Sequence, residues 1–220
     1  MDEQRYPLSN YPEVEKVDYL SIVASIASAD GKITDEEITK IREFCTMIGI
    51  GEIGIGMILA AIADPAIVDV QPILRRLSQT DLKFTLLTDM LFMAHADDIV
   101  SPDEKEEIRK IASMLKITPD QIAAIDKYVA TVISTQNADR SESDWKRLGS
   151  EIAGILASAG VPLGAITIAR TVFGNGLTSR LAALGMGLGT AAGVGVAVSI
   201  GVSSYFGVRW LFKRIVGKDE

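Results

Sequence analysis

Cysteine is nearly absent from this 220-residue chain, and the single Cys45 excludes a disulfide framework, which suits a reducing cytoplasm. Cys45 shares a helical stripe with Ile38, Ile41 and Ile48 and reads as a small core residue. Histidine is equally scarce: His95 stands alone as a candidate ligand or general base, with no Ser, Cys or Lys constellation near it in sequence. Basic charge is short where nucleic acid would need it. Residues 1–150 hold 16 Lys or Arg against 26 acids, and residues 151–220 hold six against three. An acidic front on a basic, apolar back lacks the clustered cations that a phosphate backbone requires, so DNA and RNA are excluded as main partners. Phosphate-cradling loops are missing too, because Gly49-Ile50-Gly51 and Gly54-Ile55-Gly56 are not followed by Lys-Ser or Lys-Thr. Met1-Asp2-Glu3 offers neither a basic n-region nor an apolar h-region, so no cleavable signal peptide is expected. No segment sustains period-two alternation, which leaves no strand pattern. Nothing in this inventory composes an active site, and the chain is expected not to be an enzyme.

What the chain does hold is a long run without charge. Leu181 to Val208 spans 28 uncharged residues between Arg180 and Arg209. As a helix it would be roughly 42 Å long at about 1.5 Å per residue, more than the hydrocarbon core of about 30 Å requires. Gly185, Gly189, Gly193, Ala197 and Gly201 recur every fourth residue and clear one face for close helix packing. The segment reads as a membrane span that self-associates into a homo-oligomer through this stripe, with a buried helix of a soluble protein as the alternative. A second uncharged stretch, 152–169, carries Pro162 and a Gly160-xxx-Gly164 spacing. With Thr171 to Ser179 as a turn, residues 151–220 form an expected Gly-rich hydrophobic helical hairpin. Tyr205, Phe206 and Trp210 among Arg209, Lys213 and Arg214 mark an interface and put the C-terminus on the cytoplasmic side.

The front half carries an internal repeat. Val17, Leu20, Ala24 and Ala27 fall at helical spacing up to Ala29-Asp30-Gly31-Lys32-Ile33, and the pattern returns downstream as Ala96-Asp97-Asp98-Ile99-Val100. Thr34 then matches Ser101, Glu37 matches Glu104, Ile41 matches Ile108 and Arg42 matches Arg109 without a gap. Each copy is a helix, a tight acidic turn and a second helix. Thr34-Asp35-Glu36-Glu37 and Ser101-Pro102-Asp103-Glu104 are capping boxes, in which hydroxyl and carboxylate satisfy backbone N–H groups reciprocally. Thr118-Pro119-Asp120-Gln121 is a third, opening a helix with Ile122, Ile125, Val129 and Val132 on one face. Between the copies a short apolar helix from Gly51 to Ala63 stops at Asp64-Pro65. A helix then runs up to Leu77, and Leu82 to Ala94 leads into the second turn. The expected fold is all-α, about seven helices in residues 1–136. Residues 137–150 follow as a linker and helix start, and the hydrophobic region 151–220 comes last. Residues 1–136 are expected to fold alone.

The first acidic turn coincides with the later positions of a calcium-binding loop, with Asp30, Gly31 and Glu37 in register. Ile26 and Ser28 stand where the first acidic ligands belong, and Asp98 replaces the glycine in the second copy. Asp30, Glu37, Asp97 and Glu104 are the candidate metal ligands, with Asp98 and His95 beside them. So few oxygens imply millimolar calcium, or another divalent cation, at most. A capped turn without an ion is the alternative.

The paired Ala-Asp-Gly and Ala-Asp-Asp turns, each followed by a capped helix with an Ile at the same place, resemble the TerB-like domain of tellurite-resistance and stress proteins over residues 13–135. That family is also similar to a domain of a membrane-anchored DnaJ-type co-chaperone. The resemblance implies a seven-helix all-α fold, no catalysis, a cation site at the acidic turns, and work beside a bacterial inner membrane with the N-terminal domain in the cytoplasm. It leads to a membrane-tethered module, in contact with lipid, that recruits or senses partners in a stress-response assembly. The alternative is a membrane-active effector that stores its Gly-rich hairpin and inserts it on a trigger.

Overall fold

A computed structural model describes residues 7–28, 35–94, 102–135 and 142–165. Among them the fold is all-α, with no strand. After a short 3-10 turn at Pro7–Asn10, the helices are α1 (Glu13–Ser28), α2 (Asp35–Met47), α3 (Glu52–Ala63), α4 (Val70–Leu77), α5 (Leu82–Ala94), α6 (Pro102–Met114), α7 (Pro119–Thr135) and α8 (Glu142–Ser158).

Two helices form the centre. Every residue from Lys16 to Ser25 of α1 is buried, as is every residue from Phe84 to Leu91 of α5, and the two helices pack on each other. A helix buried all round cannot show the one-sided apolar stripe of a surface helix, so its polar residues must bond inside. Ser25 donates to the Ser21 carbonyl at 2.7 Å, and Thr88 donates to the Phe84 carbonyl at 2.7 Å. Around this pair α2, α4, α6, α7 and α8 present ordinary amphipathic faces. α4 buries Val70, Ile73, Leu74 and Leu77, the one-face spacing of a helix. α3 lies on α1 at backbone distance: a Cβ at Gly54 would come within 2.8 Å of Val17 and 2.7 Å of Ile50, so only glycine fits there. On the other side Phe92 of α5 meets Tyr128 of α7 edge to face, ring centroids 6.1 Å apart.

Local signals explain the helix ends. Asp64 ends α3, and its carboxylate accepts the Ala66 N–H at 2.9 Å where Pro65 forbids continuation. At the start of α7, the Thr118 hydroxyl accepts the Gln121 N–H at 3.3 Å while the Gln121 side chain accepts the Thr118 N–H at 3.0 Å. This is the reciprocal capping box expected there. One constant offset relates the two halves: α2 and α6 start at 35 and 102 and end at 47 and 114, and α3 and α7 start at 52 and 119. Even the backbone between these helices corresponds. Ile50 N–H bonds the Cys45 carbonyl and Ile117 N–H the Ala112 carbonyl, each at 2.9 Å, with Gly49 at φ 75° and Lys116 at φ 55°. Both are six-to-one helix caps that require a left-handed residue. Lys116 bears the Cβ clash that Gly49 avoids, so Lys116→Gly is expected to raise stability by about 0.5–1 kcal/mol. Gly49→Ala is expected to lower it by a similar amount or more. Urea midpoints of the two variants that move in the same direction would refute the shared cap geometry.

Beyond the boundary drawn at residue 136, α8 packs on α7, and Ile152, Leu156, Val161 and Ala165 lie in the same core as the front helices. The Thr85 hydroxyl in the centre of α5 donates to the Ala165 carbonyl at 2.7 Å. The remainder of the uncharged stretch 152–169, the turn at 171–179 and Leu181 to Val208 lie outside the described residues.

Candidate functional site

None of the side chains singled out from the sequence as metal ligands or packing positions is described. Asp30, His95, Asp97 and Asp98 lie outside the described residues, as do Gly185, Gly189, Gly193, Ala197 and Gly201. Glu37 and Glu104 fall in the first turns of α2 and α6, and their side chains lie outside what is described. Among the described residues no group of three or more His, Cys, Asp or Glu side chains is placed to hold a metal ion, and no helix is long and apolar enough to cross a membrane. Cys45 is buried in α2, and burial pushes its thiol up to about 11, which makes it an unreactive core residue as its stripe implied.

The polar chemistry that the structure does place converges on α1. Glu13 accepts the Gly51 N–H at 2.8 Å, which fixes the entry to α3. Lys16, buried, donates to the carbonyls of Ile48 at 2.7 Å and Gly49 at 3.3 Å and so completes the C-terminus of α2. Asp18 takes the Arg76 guanidinium in a two-pronged bond of 2.6 and 2.8 Å, and this bond holds Arg76 above its ordinary pKa. Tyr19 donates to Asp89 of α5 at 2.5 Å. Four side chains from the first half of one helix thus tie it to α2, α3, α4 and α5. No sequence pattern announced these ties, because the partners of Lys16 and Tyr19 lie 32 and 70 residues away and the others fall between.

Of these, Tyr19–Asp89 is the most unusual. Both side chains are fully buried, and the second oxygen of Asp89 has no hydrogen-bond partner. Burial pushes the Asp89 carboxyl well above the usual range, against the smaller opposing pull of the Tyr19 hydrogen bond. The Tyr19 phenol is raised too, first by burial and then by Asp89, so it keeps its proton and remains the donor. Sealed from solvent, the pair cannot meet a substrate; it joins the two central helices.

Two features face outward. A cleft of about 530 Å3 opens between α6 and α7 over Leu91 of α5, with Ile108, Ile117 and Ile122 as its apolar lining and Lys105, Arg109 and Asp126 among the charged residues lining it. Its size suits a small ligand or an inserted side chain. The second is the outer side of α3. Ile53 is 85% and Met57 56% exposed, Gly56 and Ala63 are also exposed, and a Cβ at Gly56 would meet open space. From Ile53 to Ala63 the helix has no charged residue at all. The sequence shows this run as an apolar helix, but it does not show that only one of its faces is covered. No family model matches this chain, and neither a curated protein nor a solved structure matches it.

Proposed function

We propose that the protein is a non-enzymatic TerB-like module with two copies of one helical unit. In this reading it carries its Gly-rich segment to a bacterial inner membrane and there senses or recruits partners of a stress-response assembly. The observation that carries the reading is the recurrence, at one constant offset, of helix starts at 35 and 102 and at 52 and 119, with matching left-handed caps at Gly49 and Lys116. It fits the spacing of the paired acidic turns on which the TerB-like resemblance rests. The uncharged stretch from Leu181 to Val208 supplies the membrane part. Weak divalent-cation binding by Asp30, Glu37, Asp97 and Glu104 belongs to the same proposal.

A second reading has the segment stored against the protein until a trigger releases it. The uncovered, uncharged face of α3 favours it, since a chain that must shelter 28 uncharged residues needs an apolar surface to shelter them on. Alkaline carbonate extraction of cells expressing the full chain decides between the two. A tethered protein stays with the membrane pellet, and a stored one is released to the soluble fraction. Release of the whole population would overturn the tethered reading.

A further inference from the structure

We propose that the outer face of α3, about 18 Å long, is the seat of part of the chain's own uncharged segment, 181–208. The inference rests on the stored-segment reading and says where the storage takes place.

The first support is a comparison inside the molecule. α3 and α7 start at 52 and 119, equivalent positions of the two halves, and their outward stripes can be set side by side in that register. α7 shows Asp120, Ala123, Lys127 and Ala130, the mixed surface of a helix that faces water. α3 shows Ile53, Gly56, Ala60 and Ala63 at the same places, with the charges replaced by an isoleucine and an alanine. The inner faces correspond instead: Ile55, Ile58 and Ile62 are buried in α3, as are Ile125 and Val129 in α7, with Ile122 partly so. The apolar character of the α3 exterior is therefore not needed by its own fold. A solvated helix face whose charges are confined to its two ends, at Glu52 and Asp64, and which bears an isoleucine at 85% exposure, is a surface suited to cover. Ile67, in the turn that follows, extends the exposed apolar residues beyond the helix end.

Chain length and charge then choose the occupant. The described residues end at Ala165, whose carbonyl is held by Thr85, and positions 166–180 connect it to Leu181. That connection reaches about 50 Å when extended, and a domain of this size has a radius of gyration of about 15 Å. Most of the surface is within reach. Residues 166–220 hold six Lys or Arg against two acids, whereas residues 1–165 hold 16 against 27. A basic tail is drawn to an acidic body, and its uncharged middle then loses no hydration of charge on meeting α3. An anionic membrane surface is the poorer occupant, because the acidic body is repelled by it.

The test uses the full-length chain with Cys45→Ala, so that introduced thiols are the only ones. Ile53→Cys and Asp120→Cys occupy corresponding exposed positions on α3 and α7 and are labelled with a maleimide under native conditions. The thiol at position 53 is expected to react at least tenfold more slowly than the one at 120. Addition of Gly189→Cys and a short bis-maleimide is expected to cross-link position 53 to position 189 within one chain. Equal labelling rates in a protein that carbonate leaves soluble would remove the α3 seat and keep storage. A cross-link only at twice the chain mass would overturn it in favour of a neighbouring copy. A chain that remains in the carbonate pellet overturns storage itself, and the seat with it.

Discussion

Tyr19→Phe is expected to destabilise the protein by about 1–3 kcal/mol, because it strips the fully buried Asp89 of the hydrogen bond it receives and leaves a polar group without a partner. Asp89→Asn strands its amide NH2 where the second Asp89 oxygen has no partner, and its stability relative to the wild type is expected to improve as pH rises. The Asp89 carboxyl has a folded pKa well above its ordinary value of 3.8, chiefly through burial. The unfolded chain releases this proton near the ordinary value while the folded chain retains it. The favourable contribution is thus fully present below about pH 4 and is lost as pH climbs toward the folded value, above which no further loss occurs. Asparagine carries no such proton and accepts the Tyr19 hydroxyl through its amide oxygen. Urea denaturation of both proteins should show Asp89→Asn gaining on the wild type between about pH 4 and about pH 8. A stability difference that is the same at the two ends would mean that the carboxyl is not held protonated in the fold. Replacing both groups, with Tyr19→Phe and Asp89→Leu, is expected to recover most of the single-variant loss, since an all-apolar contact strands no polar atom.

The second large effect concerns α8. A chain ended after residue 136 loses Ile152, Leu156 and Val161, which are at most 3% exposed, and it also loses the acceptor of the Thr85 hydroxyl. At about 1.5–3 kcal/mol for each buried side chain, the deficit relative to a chain ended after residue 165 is on the order of 5 kcal/mol. That is comparable to the whole stability of many domains. Leu156→Ala alone, in the intact protein, is expected to cost about 2–5 kcal/mol. Equal denaturation midpoints for the two shortened chains would show that α8 is an accessory to the core and not a part of it.

What could be read from the sequence was mostly punctuation. Asp64-Pro65, the Thr118–Gln121 box and the apolar run from Leu82 to Ala94 marked helix ends through interactions spanning only a few residues, and such interactions survive translation into a linear pattern. The inside of α1 was not legible in that way. Lys16, Asp18, Ser21 and Ser25 look like a solvated face beside Val17, Leu20 and Ala24, yet all are buried. Their burial depends on acceptors and cations far along the chain, which no local periodicity encodes. A helix start within 137–150 was legible, but the place of α8 in the core was not: its uncharged residues from Ile152 on resemble a hairpin arm as much as a core face. The site was less legible than the fold. The acidic turns drew attention through their repetition, whereas the α3 exterior is conspicuous only after its partner-facing side has been identified.

The ties of α1 also set a timetable. Its bonding partners at Ile48, Arg76 and Asp89 lie 32, 58 and 70 residues downstream. With synthesis running at about 5–20 residues per second, the first helix made waits roughly 4 to 14 s for its last partner to be polymerised. Asp18 gains Arg76 before that interval ends, whereas Tyr19 waits the whole of it for Asp89. The first helix to be synthesised is therefore among the last to be fully bonded.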